Sequence, residues 1–168
     1  MKLFFLRHGQ AQPRGPKWRP DSKRPLTREG EDDMQDVARG MRALGLSFDL
    51  ILSSPYARAL RTAEILAGVY ETPKLIETSR LTPEAAPKDI IDEIAATFAG
   101  AGAIVLVGHE PFLTGLISIL LSGGEGLAIE LKKAGLCKLS VEKLVFGQCA
   151  SLNWLMTPKQ LARLGKSG

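Results

Sequence analysis

Cysteine is scarce in this sequence, since Cys137 and Cys149 are the only two among 168 residues. Their positions make neither a C-x-x-C pair nor a zinc-binding spacing, which argues against a disulfide-rich scaffold and a zinc module. Both fall in predicted strands, where a cysteine packs as a small apolar residue. We therefore expect two free thiols in a reducing cytoplasm.

Long apolar runs and abundant aromatic residues are lacking as well. The apolar run that begins the chain stops at Leu6, which is shorter than the ~7–15 residues of a signal-peptide core. The apolar stretch of residues 104–121 contains the polar and helix-breaking residues 108–111, so it predicts no membrane span. Phenylalanine and tyrosine together number only eight. With so few rings to stack on bases, nucleic acid is not an expected partner.

The remaining composition is that of an ordinary globular protein. Apolar residues make up 45% and charged residues 24% of the chain, and the length suits a single domain over residues 1–168. The net charge of +4 favours anionic ligands. The acidic residues form no cluster with the spacing of a metal site, so we expect neither a metal nor a cofactor.

Apolar periodicity predicts strands that alternate with helices. We expect strands at residues 3–6, 49–53, 74–77, 103–107, 136–144 and 149–156, and helices that begin after Thr27, near Pro55, at Pro87, at Pro111 and at Pro158. The apolar stripe of the second helix is predicted at Leu60, Ala63, Leu66, Ala67 and Tyr70. This order predicts an α/β sandwich with a mixed, mostly parallel sheet flanked by helices. Residues 10–25, which are rich in proline, predict a loop over one rim of the sheet.

The only two histidines of the chain each follow a predicted strand. His8 stands in Arg7-His8-Gly9, directly after the first strand, and His109 follows Gly108 at the end of the fourth. The carboxyl ends of parallel strands meet at the edge of an open sheet where ligands bind. Each histidine taken alone is also compatible with a hydrogen-bonded core residue. As a pair beside Arg7, they predict a functional site.

A further cation, Arg58, falls in the first turn of the helix that follows Ser54 and Pro55. Two arginines and two imidazoles around one point repel each other unless an anion offsets their charge. A phosphoryl group is suitable, because arginine binds it through two parallel hydrogen bonds and a helix N-terminus supplies further N–H donors. A histidine can also attack phosphorus and carry the phosphoryl group as a covalent intermediate that water cleaves. The sequence therefore predicts phosphoryl chemistry that needs no metal.

Motifs along nearly the whole chain resemble those of the histidine phosphatase (phosphoglycerate mutase-like) superfamily, and most of all its small SixA-type branch of phosphohistidine phosphatases. The matching residues are Arg7-His8-Gly9, Asp21-x-x-Arg24-Pro25-Leu26-Thr27-x-x-Gly30, Ser53-Ser54-Pro55-x-x-Arg58-Ala59-x-x-Thr62, Leu81-Thr82-Pro83, Gly108-His109-x-Pro111 and Asn153-Trp154-x-Met156-x-Pro158. The resemblance implies a phosphoglycerate mutase-like fold with an active site at the strand ends.

The resemblance also implies roles for four of the matching residues. His8 is the expected nucleophile, and Arg7, Arg58 and His109 are expected to bind the phosphoryl oxygens and to stabilise the transition state. Glu84, which follows the Leu-Thr-Pro motif, is the candidate general acid, with a solvated loop carboxylate as the alternative interpretation.

Three functions remain open at this stage. The first is a cytoplasmic phosphatase that acts on protein phosphohistidine, because imidazole leaves without the strong protonation that an alkoxide needs. The short chain leaves only residues 10–25 as a lid, and an open site suits a phosphorylated side chain on a protein surface. The second is a phosphatase of the same fold that acts on small phosphate esters or anhydrides. The third is a non-catalytic module that binds phosphate or phosphoproteins.

Overall fold

The computed structural model describes residues 1–70 and 74–166, which form one six-stranded sheet and five α-helices. The strands are β1 (Lys2–Arg7), β2 (Leu50–Ser53), β3 (Lys74–Glu77), β4 (Ala103–Gly108), β5 (Leu136–Val141) and β6 (Ala150–Met156). The helices are α1 (Arg28–Ala43), α2 (Ala57–Tyr70), α3 (Pro87–Thr97), α4 (Phe112–Ser122) and α5 (Pro158–Gly165). Every predicted element is present, with ends that differ by a few residues. None of the described helices is both long and apolar enough to cross a membrane.

The sheet is mixed, as predicted. Its strand order is β3-β2-β4-β1-β5-β6. The pairs β1–β4, β2–β4 and β2–β3 are parallel, whereas β1–β5 and β5–β6 are antiparallel. β3 and β6 are the two edge strands. The prediction of a single-domain α/β fold with a mixed, mostly parallel sheet is therefore correct.

Two apolar cores lie on opposite faces of the sheet. Successive side chains of a strand point to opposite faces, so Leu3 and Phe5 pack with α3 and α4, whereas Phe4 and Leu6 pack with α1, α2 and α5. All four side chains are almost completely buried. Burial on both faces explains why β1 is a continuous apolar run rather than an alternating one.

Residues 10–25, which we call the strap, cross the carboxyl end of the sheet as predicted. Two short 3₁₀ turns and a bridge between Ala11 and Leu26 shape the strap. Two residues after the strap, the hydroxyl of Thr27 accepts the N–H of Gly30 at 2.9 Å and caps α1. A Cβ atom on Gly30 would lie 2.2 Å from the carbonyl oxygen of Gln10. The strap backbone thus packs directly against α1 at a position that only glycine allows.

Two local predictions need correction. The buried face of α2 includes Ala59 and Thr62 as well as the predicted Ala63 and Leu66, whereas Leu60 is only partly buried. The predicted stripe followed apolar residues only, but α2 also faces the strand ends with polar ones. Cys149 lies one residue before β6 rather than inside a strand. The prediction of free thiols is confirmed for both cysteines.

Candidate active site

The register of two parallel strands brings the two histidines together. Arg7 is paired with Gly108 at the ends of β1 and β4. The ladder continues one step further, because the N–H of His8 donates to the carbonyl of Gly108 at 3.1 Å. The next residue of β4 is His109, and the two imidazole centroids are 5.1 Å apart. Backbone pairing therefore produces the cluster that the strand exits predicted.

His8 is held in one tautomer. Its Nδ1 lies 2.8 Å from the carbonyl oxygen of Gly9, and because a carbonyl only accepts, Nδ1 must carry the proton. The other ring nitrogen, Nε2, then has a free lone pair. Burial, followed by the charges of Arg58 and Arg7, lowers the pKa of His8 to about 3. The ring is therefore neutral at physiological pH and available as a nucleophile.

Thr62 fixes the turn that follows His8. Its hydroxyl accepts the N–H of Gly9 at 3.0 Å and donates to the carbonyl of Arg58 at 2.7 Å. Thr62 is fully buried. One side chain of α2 thus holds the N–H of Gly9, the residue whose carbonyl orients the imidazole. No local pattern in the sequence reveals this contact, because it spans 53 positions.

His109 is oriented by a buried serine. Its Nε2 lies 2.8 Å from Oγ of Ser54, and the same Oγ accepts the N–H of Tyr56 at 3.3 Å. When the serine hydroxyl donates to Nε2, the ring proton of His109 resides on Nδ1. Burial and then the neighbouring His8 lower the pKa of His109 to about 3, so this imidazole is also neutral.

The two arginines are each anchored by one part of the guanidinium. Nη1 of Arg7 donates to the carbonyl of Leu131 at 3.0 Å. Both terminal nitrogens of Arg58 contact Asp21, with Nη1 2.9 Å from its carbonyl oxygen and Nη2 3.0 Å from its carboxylate. These contacts involve only the terminal nitrogens, so the Nε–H of each guanidinium takes no part in them. They also fix the position of each guanidinium.

Three buried nitrogen atoms near the strand ends have no hydrogen-bond partner among the residues that the structure describes. They are Nε of Arg7, Nε of Arg58 and Nδ1 of His109. A buried donor without an acceptor costs about 1–3 kcal/mol, so three of them in one cluster are unusual for a structural core. The tetrahedral oxygens of a phosphoryl group would supply the acceptors. The donor set fits an oxyanion.

Asp21 is a member of the site that the sequence prediction did not identify as functional. Its carboxylate lies 2.8 Å from Nε of Arg24 and 3.0 Å from Nη2 of Arg58. The hydrogen bond with Arg24 is the largest of the effects that lower its pKa. Sequence reasoning assumed that an external anion offsets the arginines. The strap carboxylate already offsets part of that charge and ties the strap to α2.

A segment before β5 also supports the site and was missed. The N–H of Arg7 donates to the carbonyl of Gly135 at 3.2 Å, and the carbonyl of Arg7 accepts the N–H of Ala134 at 3.0 Å. Lys133 donates from Nζ to the side chain of Gln10 at 2.7 Å, which links this segment to the strap. The sequence offered a weak signal, the adjacent Lys132 and Lys133 before Gly135.

The predicted residues surround one cleft of about 510 Å³, a size typical of ligand pockets. Its walls include Arg7, His8, Gln10, Arg14, Asp21, Arg24, Arg58, Glu84, His109, Glu110 and Lys133. The structure therefore brings Glu84 into the same cleft as the four basic residues. Across residues 1–70 and 74–166, no three His, Cys, Asp or Glu side chains form a group that could hold a metal ion.

The two cleft glutamates have different surroundings. Glu84 is exposed, and its Oε2 accepts the hydroxyl proton of Tyr56 at 3.0 Å. Glu110 is half-buried and accepts both the hydroxyl and the N–H of Thr114 in the first turn of α4. Burial raises the pKa of Glu110 above its ordinary value. Glu110 thus accepts an N–H at the start of α4, where the helix dipole favours a carboxylate.

Comparison with known proteins agrees with this geometry. The family model of the histidine phosphatase superfamily (branch 1) matches residues 3–82, which include Arg7, His8, Arg58 and Thr62. An uncharacterised protein of Picosynechococcus is 38% identical over 83% of this chain and 84% of its own length. The chain belongs to the histidine phosphatase superfamily. Phosphohistidine phosphatase SixA of Escherichia coli is 27% identical over 73% of this chain and 76% of its own length.

Solved structures of this superfamily share the fold over nearly the whole chain. The protein histidine phosphatase SixA complexed with tungstate matches with a TM-score of 0.84 and 24% identity, over 96% of this chain and 99% of the other. A putative α-ribazole-5'-P phosphatase of Escherichia coli matches with a TM-score of 0.72 and 18% identity, over 94% and 97%. The histidine phosphatase fold thus occurs in relatives with different named substrates. Membership of this superfamily identifies the protein as a phosphatase.

Proposed function

We propose that this phosphatase hydrolyses phosphohistidine on proteins through a covalent intermediate on His8. The observation that carries the proposal is the set of three unpartnered buried donors beside the free lone pair of His8. Nε of Arg7, Nε of Arg58 and Nδ1 of His109 are the groups that would bind the phosphoryl oxygens. Negative charge that develops on those oxygens would be stabilised without reorganisation of the protein, because the anchors of both arginines are already formed.

The proposed reaction has two displacements at phosphorus. Nε2 of His8 attacks the phosphoryl group, the P–N bond of the substrate breaks, and its electron pair returns to the leaving imidazole, which takes up a proton. Water then attacks phospho-His8 and gives up a proton. The P–N bond to His8 breaks, inorganic phosphate leaves, and the lone pair on Nε2 is restored. The Gly9 carbonyl keeps the ring in the required tautomer throughout.

A protein substrate is supported by the cleft's position and by the leaving group. The cleft lies at the end of the sheet beside the strap, and a phosphorylated side chain on a folded surface would enter it there. Glu84, which follows the Leu81-Thr82-Pro83 motif, is exposed, and its carboxylate is hydrogen-bonded to Tyr56. It is a weak general acid for an alkoxide, whereas imidazole needs less protonation to depart. The proposal includes a cytoplasmic location, where the two free thiols are stable.

A second candidate is a phosphatase that acts on small phosphate esters or anhydrides. The observation that favours it is the presence of both Glu84 and Glu110 in the cleft, since a carboxylic acid could protonate an ester oxygen. The two candidates differ in the effect of Glu84→Gln. Under the first, hydrolysis of a phosphohistidine peptide is unchanged within about twofold. Under the second, hydrolysis of an alkyl ester such as glycerol phosphate, whose alkoxide leaving group needs protonation, falls about 10²-fold or more, the usual contribution of a general acid.

The intermediate can be tested directly. Wild-type protein and His8→Asn would be mixed with a ³²P-phosphohistidine protein in the presence of a chelator and quenched at short times. We expect wild type to carry a phosphoryl label that is stable in base and lost in acid, as a phosphorylated imidazole is. His8→Asn should carry none and should turn over no substrate. Label that survives in His8→Asn, or equal turnover by both proteins, would contradict the proposal.

A further inference from the structure

The net charge of the chain is concentrated in the strap. Its 16 residues include five basic side chains and one acidic side chain, so the strap carries a charge of +4. The whole chain has 22 basic and 18 acidic residues, and its net charge is also +4. The rest of the protein therefore contains equal numbers of both signs. A segment that borders the cleft accounts for the entire excess.

Five of the six strap charges fall into two groups with different surroundings, and the sixth, Arg14, is exposed and lines the cleft. Asp21 and Arg24 point inward, where they bind each other, Arg58 and the carbonyl of Gln12. These contacts hold the strap in place. The basic side chains of Lys17, Arg19 and Lys23 are exposed, and none of them forms an ion pair within the described part of the chain. No carboxylate of the described residues offsets these three charges, and the ammonium group of Lys17 lies against the Trp18 ring.

The three exposed cations lie outside the cleft. Among the basic residues of the strap, Arg14 and Arg24 line the cleft, whereas Lys17, Arg19 and Lys23 do not. A small phosphorylated molecule held by the strand-end residues would fill the cleft without contacting them. A macromolecule whose surface continues beyond its phosphoryl group would cover them. The positions of these three charges therefore favour a large partner over a small metabolite.

The surroundings of Trp18 favour a protein over a single-stranded nucleic acid. Binding of unpaired bases combines basic residues with free aromatic faces on which the bases stack. Trp18 is the only aromatic residue of the strap, it is partly buried, and the ammonium group of Lys17 lies 4.9 Å from its ring centroid. One face of the Trp18 ring is therefore already covered by an ammonium group. Carboxylates, by contrast, need only accessible cations.

We propose that the strap is a docking surface for an acidic protein surface around the phosphorylated residue, with Lys17, Arg19 and Lys23 as its contact residues. The inference rests on the proposed protein phosphatase function and specifies the substrate class. Electrostatic complementarity of this kind favours the encounter of the right partner and fixes its orientation. The strap thus selects phosphoproteins by their neighbouring charge, and the strand-end residues act on the phosphoryl group.

The test uses two phosphohistidine peptides that differ only in flanking residues, which are aspartate and glutamate in one and serine and glycine in the other. Free phosphohistidine is the third substrate. We expect wild type to prefer the acidic peptide by about tenfold in kcat/KM at low salt, from three exposed ion pairs of modest strength each. The preference should disappear when the ionic strength is raised from about 0.05 M to about 0.5 M.

The variants separate docking from general charge. Lys17→Gln/Arg19→Gln/Lys23→Gln should bring the acidic-to-neutral ratio to about one. The matched control is Lys2→Gln/Lys74→Gln/Lys143→Gln, which removes the same charge from exposed lysines at the opposite end of the sheet or in the β5–β6 turn. This control should keep the wild-type preference. Equal losses in both triple variants would mean that net charge alone is responsible, and the docking inference would be wrong.

Failure of the proposed function has a different signature. If no phosphohistidine substrate is hydrolysed, that function is wrong. The same two peptides would then be made with a non-hydrolysable phosphonate analogue, and their binding would be followed by fluorescence anisotropy. The ratio of the affinities for the acidic and the neutral peptide then decides the docking inference. A single-stranded oligonucleotide would be included as a competitor. Tighter binding of the oligonucleotide than of the acidic peptide, dependent on the three strap residues, would overturn the inference in favour of a nucleic acid partner.

Discussion

Substitution of Thr62 provides a sharp test of how the fold orients the His8 imidazole. Valine has nearly the shape of threonine but no hydroxyl, so Thr62→Val removes the hydrogen bonds to Gly9 and Arg58 without opening a cavity. The Arg58 carbonyl lies within α2 and keeps its helical partner. The N–H of Gly9, 3.0 Å from the threonine oxygen, is left buried without an acceptor. We expect a loss of about 2 kcal/mol in the free energy of unfolding, within the ~1–3 kcal/mol of an unsatisfied buried donor.

Catalysis should suffer through the same residue. The carbonyl of Gly9 accepts the Nδ1 proton of His8, so a shift of Gly9 that follows the loss of its N–H anchor misdirects the Nε2 lone pair. Displacements of ~1 Å in an active site can cost about 10²-fold, and we expect kcat/KM of Thr62→Val to fall by about 10–10²-fold. The measurements are urea unfolding and steady-state hydrolysis of p-nitrophenyl phosphate, together with phosphoryl labelling of His8.

Thr62→Ser is the matched control, because serine keeps the oxygen and loses only a methyl group. Its expected cost is about 1 kcal/mol of stability, from one buried carbon, and less than about threefold in kcat/KM, since the bond to Gly9 remains. The comparison refutes the reasoning if Thr62→Val retains wild-type turnover. Equal losses of turnover in both variants would also refute it, because packing rather than the hydroxyl would then be responsible.

Three further predictions concern His109, the pH dependence of stability and the strap. Ser54→Ala should lower kcat more than it raises KM and change the pH profile, because Nε2 of His109 loses its partner at 2.8 Å, whereas Ser54→Thr should restore most of the activity. Unfolded imidazoles bind protons below a pKa of about 6.5, but the buried His8 and His109 have pKa values of about 3. The free energy of unfolding should therefore fall by about 2 kcal/mol per histidine between pH ~7.5 and ~5, and urea titrations of His8→Asn/His109→Asn should lack this slope. Gly30→Ala places a Cβ 2.2 Å from the Gln10 carbonyl; it should lower the melting temperature and expose the strap to proteolysis, and an unchanged protease pattern would contradict the packing described.

The parts of the fold that the sequence predicted are those that depend on local patterns. The first strand is a continuous apolar run that ends at Arg7, and the cap at Thr27 stands directly before an amphipathic helix. Such signals need only neighbouring residues. The meeting of His8 and His109 also followed from local information, because each comes directly after a strand and parallel strands end at the same edge.

The residues that support the site could not be identified from local patterns. Thr62 contacts a residue 53 positions away, the contact of Arg58 with Asp21 spans 37 positions, and that of Arg7 with Leu131 spans 124. Each of these residue types has an ordinary structural role in its own segment. Their function arises only when the sheet brings distant segments together. The polar side of α2 was missed for the same reason, since an apolar stripe carries no information about a buried threonine whose hydroxyl is satisfied.

The separation of the two imidazoles has its origin in the peptide backbone. Adjacent strands lie about 4.8 Å apart in any sheet, and the ring centroids of His8 and His109 are 5.1 Å apart. The distance between the two imidazoles is therefore set largely by the spacing of a hydrogen-bonded ladder, which depends on the backbone. A chain can replace Leu3, Phe4 or their partners in β4 with other apolar residues and keep this dimension. A one-residue deletion within β1 would instead shift its register, move side chains from one face of the sheet to the other and separate the histidines, so the register of β1 and β4 is the property that must be kept.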